Sequence, residues 1–505
     1  MPQEESQEEA SVSASTAASS PTRGIRTRLY RGNTEALGWA LDAIARIVSF
    51  VAPAVFLSVA IINLAKKQAG CETEKPEGEL KVPECDARVY GLKPSSLLTT
   101  YGTIVGLISA CSLPLVGAVV DYTSRRKLIG FWTAVAQIFF IFGQIFLTES
   151  NWFIMIIAQV FSAFIGWVHT LTVFAYLPEL TEDSRLLVDW TANFHILQYA
   201  ALILFLAYML GMLRATGFDG DDDDILASRL ASASALVIAT PCYLWTWCSL
   251  MKRRDAFHTL PEESSLWTIG FVKVFQTSKK LYGRYRALMW FFVNVALVEA
   301  SQQSIATISL TYMTDTLQMT AKESGIAILI LFAFGIVGSI IGKFSVSCMN
   351  PIRSNQLCQV FTAANTGLAV LILWGPGQQF RAYAIAAGWG IGAGWKNVVE
   401  RFTTCVIIPK GQDAELMGFY LFASQILAWM PTLIFTVMNE AGVNQRFGLS
   451  VLIVFFLGGM LSLSMMGSYD EAVRLAMEDE TVATLTDDGR NDQENCQQAP
   501  AQVNE

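Results

Sequence analysis

The side chains best placed to do chemistry in this chain are charged or amide groups set inside long apolar runs. Glu299 stands about twelve residues, roughly 18 Å, into one such run, near its middle. Gln302 and Gln303 follow three and four positions on and share its helical face. A charge at mid-bilayer costs about 2.5–3.5 kcal/mol on insertion scales, so such a residue points to function by default. An acid beside two amides suits a substrate amino group or a coupling proton; the plainer alternative is a structural hydrogen bond to a neighbouring helix. Asp42 and Arg46 stand one turn apart in the first run, as an internal pair, a gate or a ligand set. His195, with Asn193 and Gln198, falls near the middle of the fifth run, and His169 lies towards the end of the fourth. Each histidine is either an interhelical donor or a contact for substrate or proton. In the tenth run, Trp389 can wall off an apolar or cationic group by stacking, or simply pack. Lys396, Glu400 and Arg401 close that run, the first two at i, i+4, and read as a gate network.

A second constellation sits on a turn, GAVVDYTSRRKLIG at 117–130. Asp121 ends one apolar segment, and Arg125, Arg126 and Lys127 open the next. A charge-assisted hydrogen bond from arginine to this acid would clamp the two helices at a membrane surface. Gly117, one turn before the acid, would let a neighbouring helix approach closely. The corresponding turn after the eighth run, GKFSVSCMNPIRSN, keeps Gly342 and Arg353 but has no acid, so any such clamp is stronger in the first half.

These residues need a membrane scaffold. Of 505 residues 53% are hydrophobic and 15% charged, where a soluble protein carries about 25% charged residues. Twelve apolar runs reach the roughly 20 residues needed to cross a bilayer. They fall at about 37–64, 96–120, 128–148, 152–178, 186–213, 228–250, 287–313, 323–346, 355–375, 380–400, 414–438 and 447–468. The expected class is therefore an all-α membrane protein of twelve transmembrane helices in two six-helix bundles, 36–251 and 287–468. A cytosolic loop of amphipathic character, 252–286, joins them, and polar tails at 1–35 and 469–505 read as disordered. Placing both tails and the central loop on one side puts 23 of the 35 Lys and Arg residues there and 11 opposite, with Arg46 inside the first span. That side is expected to be cytosolic. Residues 1–20 are acidic and Ser/Ala-rich, without the apolar core of a signal peptide.

The 117–130 turn resembles the loop signature between the second and third helices of major facilitator transporters. AYLPELT at 175–181, the 228–254 and 270–293 stretches, 401–435 and 446–463 narrow the resemblance to the vacuole effluxer family. These are autophagy-related transporters that export amino acids from the fungal vacuole, with bacterial relatives. The resemblance covers about 37–475 and implies that the first, fourth, seventh and tenth spans line a central cavity. It also implies that Cys71 and Cys85, paired in one polar loop, resemble those of the fungal members; a disulfide there fits an oxidising compartment. One departure stands out. Where the family commonly carries an aromatic-polar-acid-Gly run in the seventh span, this chain reads VALVEASQQ, with Glu299 near the place of the acid.

Enzymatic readings find no support. The sequence has no G-x-x-x-x-G-K-[ST] loop, no H-E-x-x-H and no C-x-x-C pair, so no cofactor, metal or nucleic-acid partner is expected. The expected partners are a small solute, the lipid bilayer and a coupling proton. The expected function is secondary transport by alternating access, foremost amino-acid efflux from a vacuole or lysosome-like compartment. A plasma-membrane permease for another solute and a non-transporting membrane sensor or scaffold are the alternatives.

Overall fold

A computed structural model describes residues 29–71, 86–181, 184–217, 221–256, 265–409 and 413–475. Each expected apolar run forms helix, and the helices are numbered here along the chain. In the first half these are α1 (Thr34–Gln68), α2 (Leu97–Tyr122), α3 (Arg126–Gln144), α4 (Trp152–Phe174), α5 (Ser184–Thr216) and α6 (Asp221–Trp245). A connector helix follows, α7 (Leu266–Gly283). The second half holds α8 (Arg286–Asp315), α9 (Ala321–Cys348), α10 (Pro351–Ile372) and α11 (Gln379–Ile407). It closes with α12, in two pieces (Asp413–Ile426 and Trp429–Glu440), and α13 (Gln445–Met465).

Local chemistry sets several boundaries. The Asn33 side chain caps α1 by accepting from the Glu35 and Ala36 amides. Pro53 supplies no N–H, and α1 absorbs the gap in a π-turn over Pro53–Leu57 before resuming. A second π-turn, Thr246–Leu250, carries α6 to its end and places Trp247. Thr320 and Glu323 form a reciprocal capping box at the start of α9.

Spans alternate in direction. The start of α1, the end of α6 and the connector α7 lie at one end of the bundle, the connector end; the α1–α2 connection marks the other, the loop end. Among the described residues, nine helices are long and apolar enough to cross a membrane. The three remaining runs are α8, α10 and α11. They fall short in composition because they carry Glu299, Gln302 and Gln303, then Asn355 and Gln359, then Lys396 and Glu400. Two spans expected to line a central cavity are thus among the least apolar.

The glycines of α11 explain how this helix is held. A Cβ on Gly390 or Gly394 would lie 2.0 or 1.9 Å from the carbonyl oxygens of Leu331 and Gly335 on α9. On the other flank, a Cβ on Gly388 or Gly392 would meet Asn365 and Thr362 of α10 at 2.3 Å. The four alternating glycines are therefore two small-residue stripes that let α9 and α10 touch the α11 backbone on both sides.

Candidate functional site

Inside the spans, one buried charge network forms in each half. In the first half Asp42 of α1 is the hub, with its side chain fully buried. Arg46 Nε donates to one carboxylate oxygen at 2.8 Å. Trp247 Nε1 donates to the other at 2.9 Å, and His169 Nε2 lies 2.9 Å from that same oxygen. His169 Nδ1 is 2.7 Å from the Thr133 hydroxyl, so α1, α3, α4 and α6 meet at one carboxylate. The Trp247 ring packs directly against Gly130, where a Cβ would stand 2.0 Å from it. Arg46 stacks over Trp39 (5.2 Å) and Phe174 (5.8 Å), and its Nη2, buried, has no hydrogen-bond partner among the described residues.

In the second half a lysine is the hub. Lys396 of α11 pairs with Glu299 of α8 and lies 3.4 Å from Glu400 one turn further along its own helix. Tyr420 of α12 donates its hydroxyl to Glu400 at 2.7 Å. Lys396 is 3% exposed while Glu299 is 17% exposed, although it stands near the middle of α8. The stripe Glu299, Gln303, Thr307 runs at four-residue steps. Thr307 lies 3.6 Å from where a Cβ on Gly102 of α2 would stand, so this stripe faces the first half. Gln303 donates to the Ser424 carbonyl at 3.2 Å, and Gln302 is half-buried.

At the loop end a ladder of short polar side chains joins the halves. Thr436 meets Thr99 at 2.7 Å and Thr103 meets Thr432 at 3.0 Å. Asn439 donates to Ser95 and Ser96 at 2.8 and 2.7 Å. Ion pairs frame this ladder: Lys66 with Asp315 at 2.8 Å and Arg88 with Glu440 at 3.2 Å. Midway along, Asn397 Nδ2 reaches the Tyr199 hydroxyl at 3.4 Å.

Several expectations require correction. Asp121 pairs with Lys273 of α7 at 3.3 Å, not with the arginines of its own turn. Arg126 turns inward instead, fully buried, to Glu179 (3.0 Å) and the Asp255 carbonyl (3.0 Å), while Arg125 is exposed. The buried guanidinium is better satisfied there than at the exposed turn, because Glu179 sits just past the carbonyl end of α4. Arg254 joins this clasp by bonding Glu35 at 2.5 Å, and burial pushes the Tyr176 hydroxyl beside it up to about 12. Gly117 has no heavy atom within 4 Å of a built Cβ; close approach to α2 is made by Gly270 of α7, at the Pro114 carbonyl. Trp389 is buried and donates to Thr366, so it packs α11 on α10 and forms no stacking wall. Lys396 and Glu400 pair at i, i+4 as expected and close on Glu299 as well, while Arg401 is exposed.

Asn193 is exposed on α5, and the His195 side chain lies outside the described residues. Cys71 is disulfide-bonded, and Cys85 lies outside the described residues. Sequence reasoning missed Trp247, Thr133, Tyr420, Lys273 and Glu179. Of these, Glu179, Trp247, Lys273 and Tyr420 lie within the stretches that carry the family resemblance, and only Thr133 lies outside them.

Twelve helical runs in two halves, with buried charges in their interiors, define an integral membrane protein of the major facilitator fold. Solved structures of low identity share it. A mutant of the nucleoside transporter NupG is 14% identical with a TM-score of 0.56, covering 85% of this chain and 100% of that one. The xylose transporter XylE from E. coli, in an inward open conformation, is 12% identical with a TM-score of 0.56, covering 86% and 95%. A bacterial homologue of the iron transporter ferroportin, inward-facing, is 12% identical with a TM-score of 0.58, covering 86% and 99%. No curated protein matches the sequence. The sequence matches the family described as vacuole effluxer Atg22 like over residues 31–195 and 193–472, and the chain belongs to that family of transporters.

Proposed function

We propose that the chain exports small organic solutes, amino acids foremost, from a vacuole-like compartment to the cytosol by alternating access of its two halves. The Lys/Arg excess puts the connector end in the cytosol, so the loop end faces the lumen. The observation that carries this reading is the lysine held between two acids, Glu299–Lys396–Glu400, with Glu299 on the stripe that faces the opposite half. An ammonium group arriving at Glu299 displaces Lys396 onto Glu400, so no charge is stranded in the low-dielectric interior. Family membership supports the substrate class, and the hydroxyl ladder supplies a lumenal gate. On the cytosolic side Asp121, held by Lys273 rather than by arginine, is the gate partner of the connector.

Counterflow of labelled amino acids in proteoliposomes, with and without a pH gradient, tests this. Saturable exchange is expected for the wild type, and Glu299→Gln should slow it at least tenfold at equal folded protein. Failure of neutral, acidic and basic amino acids alike to exchange would overturn the substrate assignment. A tagged chain found at the cell surface would favour a plasma-membrane permease.

A further inference from the structure

We infer that the connector helix α7 is a membrane-surface element that binds the anionic phospholipid headgroups of the leaflet at the connector end. Its inner face is fixed. Ile269, Gly270, Thr277 and Leu281 are buried, and a Cβ on Gly270 would stand 2.2 Å from the Pro114 carbonyl oxygen, so α7 lies on the α2 backbone itself. Lys273 points the same way, to Asp121 and over the Tyr122 ring at 5.7 Å. Pro114 is eight residues, about 12 Å, from the end of α2 at Tyr122. A helix of 26 residues is about 39 Å long and outruns a hydrocarbon core of about 30 Å, so its last turns emerge at the headgroup boundary. α7 is therefore held across that boundary, with Gly270 just inside the hydrocarbon at Pro114 and Lys273 at the emerging end of α2.

The outer face is wrong for water and right for an interface. Trp267 (77% exposed), Phe271 (46%), Phe275 (70%) and Tyr282 (71%) form one stripe at steps of four, four and seven. No described side chain covers it, and the aromatic types are those enriched at membrane boundaries. On α2 itself, Ile104, Leu107 and Ile108 are exposed as well. Charge decides what kind of surface it meets. Residues 265–286 hold five Lys and Arg residues and no Asp or Glu. One cation, Lys273, is turned inward, whereas Lys279 is exposed on the outer side and Arg284, just past the helix end and over the Tyr285 ring, is exposed too. An aromatic stripe flanked by cations alone complements an anionic leaflet.

Hydrogen–deuterium exchange of the full chain in nanodiscs tests this independently of transport. One set of discs holds phosphatidylcholine alone and the other adds 30 mol% phosphatidylserine. Amides of 266–283 should exchange at least fivefold more slowly with phosphatidylserine present. Lys279→Gln with Arg284→Gln should remove that difference while leaving thermal stability in detergent unchanged. Trp267→Ser with Phe275→Ser should raise exchange in both discs. Equal exchange in the two discs would overturn the proposal and leave the stripe for a protein partner. Protection by soluble glycerophosphoserine without a bilayer would overturn it too, as would a lipid effect untouched by the glutamine changes.

Discussion

The two halves of the molecule build their buried charge networks the opposite way round. In the first half one acid, Asp42, is surrounded by donors from three helices, and its partners Arg46, Trp247 and His169 compete for nothing else of opposite charge. In the second half one cation, Lys396, is shared by two acids. The first arrangement satisfies its hub completely and resists change, because removing any donor leaves a buried charge short of partners. The second is a two-way contest for a single lysine, and one contender, Glu299, is partly open to the space between the halves. A transporter needs both: a half that holds its shape and a half whose charges can be re-paired. The geometry gives the first role to Asp42 and the second to Lys396.

Breaking the lysine hub should have the largest effect. Lys396→Met leaves Glu299 and Glu400 facing each other without a cation, and exchange per folded molecule should fall at least a hundredfold. Adding Glu299→Gln should recover folded protein, since the unpaired acid is gone, without recovering transport. Wild-type exchange in the single variant would end the idea of a contested lysine. Asp42→Asn should act next, and on a different quantity. It strands Arg46, at a cost of about 3–5 kcal/mol typical of a broken buried pair. Membrane yield and thermal stability should fall sharply while exchange per folded molecule falls less than fivefold. If that exchange drops as far as in Lys396→Met, the division of roles between the halves is wrong. The loop-end ladder should give the smallest effect. Thr436→Val removes one hydroxyl bond, worth about 1 kcal/mol, or roughly a fivefold shift in closure. Maleimide labelling of Ser95→Cys, above the wild-type background, should rise by that factor, and unchanged labelling would remove the ladder from the gate.

Much of the fold was legible because a bilayer imposes length and apolarity on each span, and every run expected from the sequence became helix. The alternating glycines of α11 are plain in the sequence, but which two neighbours they admit is seen only in the packing. What could not be read was pairing across long separations. Glu299 and Lys396 are 97 positions apart, and Asp121 and Lys273 are 152 apart. Each looked locally complete: Lys396 had Glu400 at i, i+4, and Asp121 had arginines four and five residues on. Packing added Glu299 to Lys396 beside its local Glu400, in a site where burial strengthens the contact, and gave Asp121 a lysine of the neighbouring connector helix in place of its own arginines. Gly117 failed for the same reason. Its spacing was right, but the helix that comes close does so three residues earlier, at Pro114.

The three spans too polar to qualify as free-standing membrane helices, α8, α10 and α11, carry a consequence for how the chain is made. A segment bearing Lys396 and Glu400, or Glu299 and two glutamines, is a poor substrate for release into lipid as it leaves the insertion machinery. Such a segment stays in the lipid phase only in company, and α9, strongly apolar over its middle and pressed to the α11 backbone at Gly390 and Gly394, is the nearest chaperone in the same chain. Biogenesis of the second half is thereby tied to order of synthesis: α8 waits for α13, and α11 has α9 already in place to receive it.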